Sequence, residues 1–306
     1  MNEFKYLKKF KSSYELTLSS DEKHLCRTTR RKTIIYSAGN FGQVVSFDDI
    51  KDPGDIAFSH DSKLLAVKDA LGKYSVYDLE RYSPRSTFKI SNNGSQDGKF
   101  VFSPDNKSII SVFTSLPDDI IVNTDLETNK TIEIRRFNNC VVYFISYTPE
   151  ENIYLFSVFD REKDKDYLIR WQYPFRNDID EIICSDKINR WYYIDYCKTK
   201  KFYAVYTGEK IFLMSENLQS VIISKDIKDK TNGYNVGMNC SEDGRYIVLT
   251  FSECVKIIST SNLETIREFK MPYCHRSEFS KKMNYFLIGT WEQGYVINVS
   301  DILPDC

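Results

Sequence analysis

Histidine is scarce in this chain, with only His24, His60 and His275 among 306 residues. No H-E-x-x-H, P-loop, Rossmann glycine run or G-x-S-x-G is present, so the common templates for metalloprotease, phosphoryl-transfer, dinucleotide and serine-hydrolase chemistry are missing. C-x-x-C is missing too. The eight cysteines, at 26, 140, 184, 197, 240, 254, 274 and 306, are widely separated, which excludes a zinc knuckle or a thioredoxin-type motif and predicts reduced thiols filling core positions. No window approaches the roughly 18 apolar residues of a spanning helix, and the basic opening MNEFKYLKKF is followed by no apolar signal region. The expectation is a soluble, cytoplasmic protein without membrane contact. Excess charge is also lacking. With 42 Lys and Arg against 43 Asp and Glu, no global field draws the chain to nucleic acid or an anionic surface, and such binding would need a local patch.

What is present is enough for a core: 42% of residues are hydrophobic, which rules out a disordered chain. A short polar turn between two apolar runs recurs. It is clear at FSHDSK (Phe58 to Lys63), FSPDNK (Phe102 to Lys107) and CSEDGR (Cys240 to Arg245), and weaker at LSSDEK (Leu18 to Lys23) and FSKKMN (Phe279 to Asn284). Degenerate copies stand at YTPEEN (Tyr147 to Asn152) and YCKTKK (Tyr196 to Lys201). The second residues of the seven copies are 19, 59, 103, 148, 197, 241 and 280. Their period of about 44 residues is the length of one four-stranded propeller blade. Each unit therefore reads as strand a, turn, strand b, loop, strand c, turn, strand d.

These turns, with the Asp-Leu or Asn-Leu turns that follow strand c, resemble the WD-repeat β-propeller superfamily over nearly the whole chain. Tyr77-Asp78 and Thr124-Asp125 hold the place of the eponymous Trp-Asp, and no Gly-His occurs. A divergent member and an unrelated seven-bladed propeller both remain open. Either way the predicted fold is all-β, a single seven-bladed propeller of four-stranded antiparallel blades over residues 1–306. The last unit offers strands a, b (YFLIGT) and c (YVINVS) and has no room for d before residue 306. The segment from Glu3 to Lys11 is therefore expected to pair with Tyr295 to Ser300 as the outer strand of blade seven, closing the ring.

In a propeller the d-a and b-c loops share one face, and partners commonly dock there. At the ends of the b strands, blades three to seven carry Phe113, Phe159, Tyr206, Phe251 and Trp291, followed by Asp118, Asp119, Asp160, Glu209, Glu253 and Glu292. Rings mixed with carboxylates suit a partner presenting Lys or Arg; aromatic residues are equally good β-formers and can tuck between blades. Blade one instead presents Arg30 and Arg31, which read as a basic side of the mouth or as a solvated hairpin tip. The three histidines are placed on different faces or strand ends, so no catalytic residue, cofactor or metal is expected. The predicted function is a non-catalytic scaffold that docks a protein or peptide, the chain acting as a monomer within a larger complex. The alternative is a Ca²⁺-assisted hydrolase or lactonase using the rim carboxylates; nucleic-acid binding through Arg30, Arg31 and the N-terminal lysines ranks last.

Overall fold

The inner strands of this chain are apolar runs and the outer ones alternate, and that difference sets the architecture. In a computed structural model describing residues 4–11, 13–90, 100–148, 152–175, 181–183, 188, 191, 193–227 and 232–303, Leu64–Asp69 and Tyr246–Phe251 are buried at every position. Val221–Asp226 alternates half-buried and exposed. Strands covered on both faces lose their polar alternation, whereas a strand at a sheet edge keeps it.

Seven antiparallel sheets of four strands result, each a meander in chain order. Sheet one contains β2 (Leu16–Leu18), β3 (His24–Thr29), β4 (Lys32–Ser37) and β5 (Gln43–Phe47). Sheet two contains β6 (Pro53–Phe58), β7 (Leu64–Asp69), β8 (Lys73–Asp78) and β9 (Ser83–Lys89). Sheets three and four run from β10 (Phe100–Phe102) through β11 (Ser108–Ser115), β12 (Asp118–Asp125) and β13 (Thr131–Phe137), then from β14 (Cys140–Thr148) through β15 (Ile153–Asp160), β16 (Lys165–Gln172) and β17 (Glu181–Ile183). Sheets five and six follow as β18 (Tyr193–Cys197), β19 (Phe202–Tyr206), β20 (Lys210–Ser215), β21 (Val221–Asp226), β22 (Asn235–Cys240), β23 (Tyr246–Phe251), β24 (Cys254–Ser259) and β25 (Thr265–Lys270). Sheet seven has β26 (Cys274–Phe279), β27 (Tyr285–Thr290) and β28 (Gln293–Asn298), and its fourth strand is the N-terminal β1 (Lys8–Lys11). This is the strand pattern of a seven-bladed β-propeller. The chain divides into two compact units, residues 1–47 with 193–306, holding sheets five, six, seven and one, and residues 48–192, holding sheets two to four.

The recurring turn is built by its own side chains. Ser59 Oγ donates to Asp61 Oδ1 at 2.6 Å and accepts from Leu64 N–H at 2.9 Å, and Lys63 N–H donates to Asp61 Oδ1. Ser19, Ser103 and Ser241 repeat this pattern with Asp21, Asp105 and Asp243. In these turns the left-handed residue is the third after the serine, as at Ser62 (φ 60°) and Gly244 (φ 68°). The two degenerate turns shift it one place later, to Asn152 and Lys201, so the same span is closed without the hydroxyl. In sheet two Asp49, from the d-a loop, accepts from Ser75 Oγ and Tyr77 OH on β8, each at 2.6 Å.

The N-terminal pairing is shorter than expected. β1 pairs with Gln293 to Val296, and Val299–Ile302 forms a single helical turn, α1, in place of further strand. Phe10 is buried and packs on Tyr36 of β4 at 4.9 Å, so β1 is anchored to sheet one as well as to β28. The described cysteines are free, and all but half-buried Cys240 are buried. Cys184, Cys306, Glu3 and residues 149–151 of the fourth turn lie outside the described residues. Among the described residues, no helix is long and apolar enough to cross a membrane.

Candidate docking site

Because neighbouring strands are antiparallel, strand a begins and the b-c hairpin turns at the same end of each sheet. In sheets six and seven main-chain hydrogen bonds lace these loops together. Ser252 N–H donates to Tyr234 O at 2.8 Å, Cys274 N–H to Ser252 O at 3.1 Å, and Trp291 N–H to Tyr273 O at 3.1 Å. The loops are thus held in register by backbone, leaving their side chains free to project.

Tyr273 carries the most unusual backbone of this group. It adopts φ 58° in the d-a turn immediately before β26. Asp52 and Asn139 occupy the same place before β6 and β14, with φ of 47° and 50°, and their carbonyls likewise accept from the first b-c residue, Ala70 and Arg161. Asp and Asn tolerate the left-handed region, whereas a bulky L-residue there costs about 1–2 kcal/mol.

The ring presented at that cost is 49% exposed and stacks on Trp291, itself 53% exposed, with centroids 5.9 Å apart and planes 18° apart. Trp291 meets Tyr14 at 5.9 Å, and Tyr14 stacks on His275 at 4.0 Å. An aromatic row, Tyr273–Trp291–Tyr14–His275, therefore spans the loops of sheets seven and one.

Beneath it runs a charged network. Glu15, 3% exposed, places Oε1 2.7 Å from His275 Nδ1 and Oε2 3.3 Å from Arg276 Nη1. Arg276 also donates from Nε and Nη2 to Glu278 Oε2 at 3.1 and 3.0 Å, and Glu278 Oε1 accepts from Thr17 Oγ1. Burial by itself would raise the Glu15 carboxyl, but His275 and Arg276 outweigh it and hold the group below the usual carboxylate range. Tyr14 and Glu15 donate their N–H groups to Thr28, so the network fixes the backbone that carries the Tyr14 ring.

The residues singled out from sequence divide sharply. Trp291 is exposed as expected, and Glu253 and Glu292 are exposed beside it in the b-c loops of sheets six and seven, with no ion-pair partner among the described residues. Tyr206 and Phe251, expected on the rim, are instead 2% and 3% exposed. They pack edge to face at 6.2 Å, and Tyr206 OH is satisfied by Gly208 O, because an apolar ring at the end of a b strand is buried between neighbouring sheets. Phe113 and Phe159 belong to the other unit and are half-buried; Phe159 stacks on exposed Tyr143 at 6.2 Å. Arg30 and Arg31 are exposed at the tip of the β3–β4 hairpin.

The aspartates of that other unit serve its own loops. Asp118 accepts from Asn139 N–H at 3.0 Å and contacts Arg136, while buried Asp119 accepts from Val142 N–H at 2.7 Å. Asp160 accepts from Glu162 N–H and Lys163 N–H and pairs with the Lys163 ammonium, holding the b-c turn of sheet four. Among the described residues no group of three or more His, Cys, Asp or Glu side chains is placed to hold a metal ion.

Sequence reading missed Tyr14, Tyr273 and the Glu15–His275 contact. His275 lies within β26, where its ring reaches Tyr14 and Glu15. The available signal was Tyr273 itself, a tyrosine at a turn position that favours Asn, Asp or Gly. No protein-family model matches the chain, and no curated protein matches it in sequence.

Proposed function

We propose that this protein is a non-catalytic interaction scaffold, a divergent relative of the WD-repeat propellers, that docks a protein or peptide segment bearing Lys or Arg. The docking surface in this reading is the Tyr273–Trp291–Tyr14 row at the d-a and b-c ends of sheets six, seven and one. The observation that carries it is Tyr273: at a left-handed turn position held by Asp52 and Asn139 in two other sheets, this chain places a half-exposed tyrosine stacked on an exposed tryptophan. Exposed π-faces with Glu253 and Glu292 alongside attract a cation, each cation-π contact contributing about 0.5–2 kcal/mol. The repeated Ser-x-Asp turns and the Asp49 link to β8 support the family reading. A scaffold is further supported by Asp118 and Asp160, whose carboxylates accept from main-chain N–H groups of their own loops.

Trp171 and Trp191 are buried, so Trp291 is the exposed indole and reports binding by its fluorescence. Short Ser/Gly peptides carrying Arg or Lys should shift its emission saturably, a Glu-bearing control should not, and Tyr273→Ala should weaken the effect. Equal response to the Glu control, or full response in the folded variant, contradicts the reading.

A further inference from the structure

β1 is the end strand of sheet seven, paired on one side with β28 and, among the described residues, with no strand on the other. Its sequence is KKFK, so Lys8, Lys9 and Lys11 give it three like charges in four residues. The other end strands differ. β13, β21 and β25 mix both signs, β5 is uncharged, β17 has one Glu, and β9 separates Arg85 from Lys89 and contains a proline.

The basic character continues beyond β1. Arg27 Nη1 donates to Lys11 O at 2.5 Å and lies over the Phe10 ring, joining the β3–β4 hairpin, with Arg31 and Lys32 at its tip, to the end of β1. Lys8, Lys9, Lys11, Arg31 and Lys32 have no carboxylate partner among the described residues. This is a local patch in a chain whose total charge is -1.

We propose that β1 is a docking edge for an extended acidic segment of a partner protein, which adds as a fifth strand with carboxylates opposite Lys9 and Lys11. Lys9 and Lys11 are exposed and share a face, and same-face side chains along any strand repeat every ~6.6–6.8 Å, so an extended peptide alternating acidic residues matches their spacing. The same lysines disfavour pairing with a second copy of β1, where Lys would face Lys, and so select the acidic strand. The partner is opposite in charge to the one drawn to the aromatic row, so peptides of opposite sign separate the two readings.

The test is fluorescence anisotropy with a labelled alternating Glu-Thr peptide, its Lys-Thr counterpart, a Glu-Thr peptide N-methylated at alternate residues, and an oligo-dT of similar length. Wild type should bind Glu-Thr, and the exposed double variant Lys9→Glu, Lys11→Glu should bind it at least about tenfold more weakly while gaining affinity for Lys-Thr. N-methylation should abolish binding, because strand addition uses the peptide main chain. Undiminished binding of the N-methylated peptide, or tighter binding of oligo-dT, would show a charge-only patch and overturn the proposal. Amide exchange on the wild type gives a reading that needs no variant: residues 8–11 should slow on adding Glu-Thr, and unchanged exchange overturns the proposal.

Discussion

His275 Nδ1 lies 2.7 Å from Glu15 Oε1, tying strand a of sheet seven to the residue that enters strand a of sheet one. Because Glu15 is buried and also faces Arg276, Glu15→Gln should destabilise the protein by on the order of 3 kcal/mol. The pH dependence follows from the lowered Glu15 carboxyl. A carboxylate lowered in the folded state contributes fully above the unfolded value of about 4.3 and loses that contribution as pH falls through its folded value. Denaturant melts should therefore show the full gap between wild type and variant at neutral pH and a narrowing gap below about pH 4.3. A gap constant across pH contradicts the assignment.

Tyr273 predicts a trade of stability against binding. Asn stands at the matching position before β14, so Tyr273→Asn should relieve the left-handed strain and stabilise the fold by about 1 kcal/mol. It should simultaneously weaken capture of cationic peptides. A variant that is both less stable and equally competent in binding would mean that the ring serves packing.

Phe10 tests the closure of sheet seven from its interior side. Its ring is buried against Tyr36 and beneath the Arg27 guanidinium at 5.2 Å, so Phe10→Ala should cost about 3–5 kcal/mol and lower the thermal midpoint. An unchanged midpoint would make β1 a loosely attached arm.

The fold was legible because its repeating turn is local chemistry. Ser59, Asp61 and Leu64 complete the hydrogen bonds of one turn within six residues, so the pattern survives in sequence wherever the turn does. The fourth strand of sheet seven was legible by counting strands, but its length was not, since β1 begins only at Lys8 and Val299–Ile302 turns helical. The candidate docking site was half legible. Trp291, Glu253 and Glu292 lie where the b-c loops were expected, whereas Tyr206 and Phe251 share the same sequence position and are buried, because β-forming rings fill core and rim alike. Tyr14 reaches Trp291 only through the pairing of sheets distant in sequence, and no local pattern announces such a contact.

The most direct test of the account is selection from a random peptide display library on wild type and on a folded Tyr273→Ala, Trp291→Ala double variant, both side chains being exposed. The account predicts that wild type enriches peptides rich in Arg or Lys and that the double variant loses them at least about tenfold. Arg- and Lys-rich peptides enriched equally on both proteins, or no cationic enrichment on wild type, would contradict the aromatic row as the docking surface.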